Sequence, residues 1–112
     1  MAVTALTFID SRYPRTAKRF FRQASRFRAV DQVITTSEHD LDPAFYAAFK
    51  EKLKPSVKGF GYWSWKPQII LQTIEHLPLG DFLIYADGGC HLNSWGGRRL
   101  ETYLEMASES HL

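Results

Sequence analysis

Residues 3–9 put Thr4, Leu6 and Phe8 on one alternating face and Val3, Ala5, Thr7 and Ile9 on the other. Neither face is strongly polar, which suits a strand in the interior of a sheet better than one at its edge. The run stops at Asp10-Ser11, and Pro14 presets the backbone angle for a helix start. Ala17, Phe20, Phe21, Ala24 and Phe27 then recur at helical spacing, with Arg15, Lys18, Arg19, Arg22 and Arg26 in the remaining directions. An amphipathic helix docked by its phenylalanines is expected. Residues 29–36 hold Val30, Val33 and Ile34 followed by Thr35 and Thr36, a β-branched run that predicts a second strand.

Asp42 before Pro43 is a cap-then-first-turn signal, and Phe45, Tyr46, Phe49 and Leu53 mark one face of a second helix that Pro55 and Gly59 close. A third helix is expected to begin at Pro67, with Ile69, Ile70, Ile74 and Leu77 as its apolar positions, and to end at Pro78-Leu79-Gly80. Residues 82–86 form a continuous apolar run of strand length, read as a buried strand, which Asp87-Gly88-Gly89 cannot comfortably continue. A last helix follows from Asn93 or Ser94, with Leu100, Tyr103, Leu104 and Ala107 inward and Gly96 and Gly97 weakening its first turn.

The order strand, helix, strand, two helices, strand, helix predicts an α/β fold: a small, mostly parallel, Rossmann-like sheet with helices on both faces. Three strands leave two sheet edges that need cover or partner strands. The chain has 112 residues, 45% hydrophobic and 14% aromatic, enough for one domain over 1–112 to bury a core. Neither a repeat nor a Pro/Gly/Ser linker divides it.

Cys90 is the single cysteine, so no intramolecular disulfide can form, and no run approaches the roughly 20 apolar residues that span a bilayer. The first nine residues lack the basic leader of a signal peptide. A soluble, reducing, cytoplasmic setting is expected. Net charge is only +2, yet Arg12, Arg15, Lys18, Arg19, Arg22, Arg26 and Arg28 supply half of the 14 basic residues. The first quarter is thus cationic, either as the solvated side of a helix or as a surface for phosphates, nucleic acid or an anionic membrane.

Ligands of open α/β sheets bind beyond the carboxyl ends of the strands. Two segments qualify. Asp10-Ser11-Arg12-Tyr13 offers a carboxylate, a hydroxyl, a cation and a ring; Asp87-Gly88-Gly89-Cys90-His91-Leu92-Asn93 follows the third strand. An Asp directly after apolar strand residues needs a partner if buried. That partner is either a hard cation such as Mg²⁺ or Mn²⁺ bridging to a diphosphate, or a turn or basic side chain that makes Asp87 structural. Tyr62-Trp63-Ser64-Trp65-Lys66 presents stacking faces and a cation, or else rings that plug the core and a solvated lysine. One Cys and one His make a poor zinc pattern, and neighbours in sequence seldom form a Cys-His nucleophile, so Cys90 reads as a packed small residue.

These segments resemble a group of bacterial glycosyltransferase-like proteins. The likeness runs from Leu41-Asp42 through Gly59-Phe60-Gly61-Tyr62-Trp63-Ser64-Trp65-Lys66-Pro67 and Gly80-Asp81 to Tyr85-Ala86-Asp87-Gly88-Gly89-Cys90-His91-Leu92-Asn93. It extends to the strand ending near Asp10, to Tyr13 and to the basic helix with Gln23-Ala24. The resemblance implies the nucleotide-diphosphosugar transferase architecture called GT-A and an incomplete or minimal donor-binding domain. It places the donor's base and ribose near Asp10 and Tyr13, its diphosphate at Asp87 with Lys66, and its sugar near Trp63, Trp65 or Asn93. Mn²⁺ or Mg²⁺ would sit on Asp87, although Gly89 stands where the motif's second Asp would be. The sugar would pass to an acceptor glycan or other hydroxyl. An acceptor half would come from a completing chain or a second copy, and no catalytic residue is assigned. A non-catalytic sugar- or nucleotide-binding module is the alternative, followed by nucleic-acid binding through the basic helix 15–28.

Overall fold

The computed structural model describes residues 2–49 and 62–109, with backbone alone at Phe49, at residues 62–65 and at Ser94. The elements run β1 (Val3–Phe8), α1 (Pro14–Ser25), β2 (Gln32–Thr36), α2 (Pro43–Phe49), α3 (Tyr62–Glu75), β3 (Phe82–Tyr85) and α4 (Gly97–Ser108). Short 3-10 turns at Glu38–Asp40 and Ser94–Gly96 precede α2 and α4. The expected closure of α2 by Leu53, Pro55 and Gly59 lies outside the described residues.

The three strands form an open, all-parallel sheet in the order β2-β1-β3. β1 is buried along its whole length, as its two apolar faces require. Ala5 and Ile9 pack with Phe20 and Ala24 of α1 on one face, while Leu6 and Phe8 pack with Leu41 and with Ile69 of α3 on the other. Helices therefore cover both faces, in a small Rossmann-like layer. Among the described residues no helix is long and apolar enough to cross a membrane.

β3, read as buried, is instead a half-buried edge strand. Its Leu83 and Tyr85 pack against the cluster that holds Ile69 of α3, while Ile84 borders a hollow beneath α4. Carboxylates pin the start of the sheet: Asp31 Oδ2 accepts the Val3 N–H at 2.8 Å and Asp81 Oδ1 the Ala2 N–H at 3.1 Å. Gly80, at φ 90°, occupies the position of the Pro78–Asp81 turn that calls for positive φ, and the Asp81 N–H closes that turn on the Pro78 carbonyl.

Four helix expectations are corrected. Phe20 is fully buried and Phe27 half-buried, but Phe21, to one side of the Phe20, Ala24 stripe, is exposed. Tyr46 is likewise exposed next to the packed Phe45, and Ile74 is exposed one turn beyond the packed Ile70. α3 begins at Tyr62, so Pro67 lies inside it rather than opening it. None of α4's residues is fully buried: Leu100 and Leu104 are half-buried, and Tyr103 and Ala107 are exposed. A hollow of about 210 Å³ separates Leu100 and Tyr103 from Phe20, Phe27 and Ile84, so the edge strand gives α4 little to rest on.

Thr7 is fully buried, and among the described residues its hydroxyl has no hydrogen-bond partner. Valine has nearly the same shape without that unpaired dipole. Thr7→Val is therefore expected to stabilise the fold by about 1 kcal/mol in urea unfolding followed by circular dichroism, since the desolvation penalty disappears and no bond is lost. Equal or lower stability would refute this account of Thr7.

Candidate functional site

The chain leaves β1 through α1 towards β2 and enters β3 from α3 on the other side, so the connections diverge at the carboxyl ends of β1 and β3. A crevice at such a switch point is a consequence of the topology. It is present as a cleft of about 210 Å³, with Asp10, Tyr13 and Thr16 on one wall, Asp87, Gly88 and Gly89 on the other, and Phe8 and Ile9 also lining it. Three of the predicted residues, Asp10, Tyr13 and Asp87, thus meet from distant parts of the sequence.

The buried carboxylate at the end of a strand is Asp10, not Asp87. Asp10 is 3% exposed and its oxygens are occupied. Oδ2 accepts from Arg12 Nε at 2.9 Å and Nη2 at 2.6 Å, and Oδ1 accepts the Arg12 backbone N–H at 2.9 Å. Burial pushes the Asp10 carboxyl up, but the hydrogen bonds and charge of Arg12 outweigh it and hold the group below its ordinary value. The next residue is fixed too: Glu38 accepts the Ser11 N–H at 2.9 Å and the Ser11 hydroxyl at 3.0 Å. Asp10, Ser11 and Arg12 therefore shape the wall, and half-exposed Tyr13 presents its ring.

Among the described residues no side chain caps α1, and Tyr13 and Thr16, at its first turn, both line the cleft. The N-terminal end of a 12-residue helix, with its partial positive charge, thus borders this wall.

On the opposite wall, the Asp87 side chain is 57% exposed and its Oδ1 lies 2.6 Å from Lys66 Nζ. The Lys66 ammonium also sits 5.0 Å from the centre of the Tyr85 ring. Both charged partners reach solvent, so the pair is worth only about 0–1 kcal/mol. The Cys90 N–H closes a turn on the Asp87 carbonyl, and Cys90 is exposed rather than packed. Gly88 is required by proximity, because a Cβ there would lie 2.4 Å from Ile9 Cγ1.

Two residues hold this turn in place, Arg19, which the pattern put on the solvated helix face, and Gln23, which it named only as part of the basic helix. Arg19 donates to the Gly88 carbonyl at 2.5 Å and to the Cys90 carbonyl at 2.9 Å. Gln23 Oε1 accepts the Leu92 N–H at 2.9 Å. Their spacing of four, on the flank of the Phe20 and Ala24 stripe, was the available signal. Asn93 lies elsewhere: its Oδ1 accepts the Trp95 N–H at 3.0 Å, and it lines a separate hollow with Trp95 and Arg98. The side chains of Trp63 and Trp65 lie outside the described residues.

These groups do not fit the divalent ion that the resemblance implies. Asp87 brings one carboxylate, already bonded to an ammonium, and Asp10 is closed by Arg12. No cluster of three or more His, Cys, Asp or Glu side chains able to hold a metal occurs among the described residues.

Arg12→Ala would leave the buried Asp10 without its guanidinium and is expected to lower stability near neutral pH. Asp10's native pKa is depressed, so its contribution is full above the ordinary value of 3.8 and fades as pH falls through the native one. Urea titrations at descending pH should show wild type and variant converging; a constant gap would contradict the assignment. Gly88→Ala is expected to cost about 1–3 kcal/mol through overpacking. Much of that cost should vanish in an Ile9→Ala background, and strict additivity would show the contact to be unimportant.

Comparison with family models, with curated proteins and with solved structures finds no match to this chain.

Proposed function

We propose that the cleft between β1 and β3 binds the diphosphate-bearing part of a nucleotide-diphosphosugar, as the donor-binding portion of a GT-A glycosyltransferase does. The observation that supports this most is the placement of one cleft at the switch point, with an uncapped helix start and the Tyr13 ring on one wall and a cation beside the other. A volume of about 210 Å³ is below the roughly 300–1,000 Å³ of drug-sized sites, so it suits a fragment of the donor rather than the whole molecule. The ring of Tyr13 offers a stacking face for the base, and the N–H groups at the start of α1 offer donors to an anion. The sugar then projects away from the cleft.

On this reading the nucleoside diphosphate is the leaving group. Its bond to the anomeric carbon breaks, the acceptor's hydroxyl oxygen bonds that carbon, and the hydroxyl proton passes to water. Positive charge at the cleft stabilises the developing diphosphate charge, and that is the part of the reaction these residues can perform.

Titration calorimetry with uridine- and guanosine-diphosphate sugars tests the proposal. Saturable binding is expected, with the free nucleoside diphosphate competing. Tyr13→Ala should weaken it about tenfold, in line with roughly 1–3 kcal/mol for a stacked base. Absence of heat with every nucleotide-sugar, in the presence and absence of Mn²⁺, would overturn it.

A further inference from the structure

The disagreement between the implied divalent ion and the groups present points to a different source of charge. We propose that Lys66 takes the place of that ion: its ammonium leaves Asp87 and pairs with the ligand's diphosphate, so that this chain binds the anion without a metal. The inference rests on the donor reading above and specifies how the same site recognises phosphate.

Three observations carry it. Lys66 Nζ lies 2.6 Å from Asp87 Oδ1, so a cation is already paired with this carboxylate. A divalent ion arriving there would face the repulsion of the ammonium, Gly89 stands where the motif's second Asp would be, and among the described residues no cluster of three or more acidic, His or Cys side chains surrounds it. Lys66 and Asp87 are both open to water, at 36% and 57% side-chain exposure, so the pair is screened and exchangeable. A diphosphate carries more charge than one carboxylate and competes well for the same ammonium. The Tyr85 ring, 5.0 Å from Nζ, remains as a second attraction for the cation when Asp87 is released.

Asp87 then has a role opposite to that of a metal ligand. It positions Lys66 while the cleft is empty and competes with the anion for it. The two roles predict opposite signs for one substitution. If Asp87 held a metal that bridges to the diphosphate, Asp87→Asn would abolish binding. If Asp87 restrains Lys66, the same change frees the ammonium and binding tightens.

The experiment is calorimetric titration of the whole chain with uridine diphosphate and with inorganic diphosphate, in EDTA and again with Mn²⁺. Wild type is expected to bind both in EDTA, with Mn²⁺ changing Kd less than about threefold. Lys66→Gln should weaken binding by about 10- to 100-fold, one charge-assisted contact of about 1.5–3 kcal/mol, and Lys66→Arg should keep most of it. Asp87→Asn should tighten binding by about two- to fivefold, consistent with the small worth of an exposed pair. Melting curves of the three variants show that they fold. Binding by wild type only with Mn²⁺, abolition by Asp87→Asn, or indifference to Lys66→Gln overturns the role of Lys66 but leaves the donor reading standing. Binding of neither probe nor any nucleotide-sugar overturns both.

Discussion

Parallel pairing of β1 on both of its edges is the constraint from which the other features descend. A strand with neighbours on each side and helices above and below has no exposed surface, so its residues must be apolar or internally satisfied. The ladder runs from Val3 to Phe8 against β2 and β3, and the Ile9 N–H extends it to the Thr36 carbonyl. Because β2 and β3 lie on opposite sides, the chain leaves the carboxyl end of β1 towards one side and later returns to the other, entering β3 at its amino end. The cleft follows from that divergence, before any side chain is considered.

The walls of the cleft are loops, and polar side chains from neighbouring elements hold them. Glu38 fixes Ser11, Arg12 fixes Asp10, and Arg19 with Gln23 fixes the segment from Gly88 to Leu92. On the far side of the sheet, Gln72 of α3 accepts the Asp42 N–H at 2.8 Å and donates to the Asp40 carbonyl at 3.0 Å, tying the start of α2 to α3. Loop carbonyls and N–H groups that the strands cannot pair are thereby satisfied from outside the ladder, as buried or half-buried backbone demands. The basic character of α1 is spent in part on this task. Arg19 is a structural donor, and only the remaining cations of the helix face water.

The centre of the fold was legible because burial writes itself into periodicity. β1 announced itself by having two apolar faces, and α1 by Pro14 and the Phe20, Ala24 stripe. α2 was marked by Asp42, whose carboxylate accepts the Ala44 and Phe45 N–H groups as a cap should. What failed were inferences from hydrophobicity to burial at the margins. β3 is as apolar as an interior strand but lies at an edge, and Phe21, Tyr46 and Ile74 belong to flanks that nothing covers. For the cleft, Asp10, Tyr13 and Asp87 were singled out from strand ends alone. Arg19 and Gln23 were not, since an arginine on a helix reads the same whether its partner is water or a carbonyl 69 residues away.

The two strand-end aspartates show why identical residues at equivalent positions come to differ. β1 is central, so Asp10 emerges beneath the neighbouring loops and is cut off from water; a bare charge there would be prohibitive, and the sequence supplies Arg12 two residues on. β3 is at the edge, so Asp87 emerges into solvent, where its charge needs no protein partner to be tolerated. A partner is present nonetheless, delivered from α3, which starts ahead of Pro67 and so carries Lys66 within its first two turns. A pair that stability does not require, one partner of which lines the cleft, is weak enough to exchange and is free to serve a ligand. The tight pair at Asp10 is not, and on the proposed reading that asymmetry of sheet position leaves Asp10 to shape the wall and Lys66 to meet the anion.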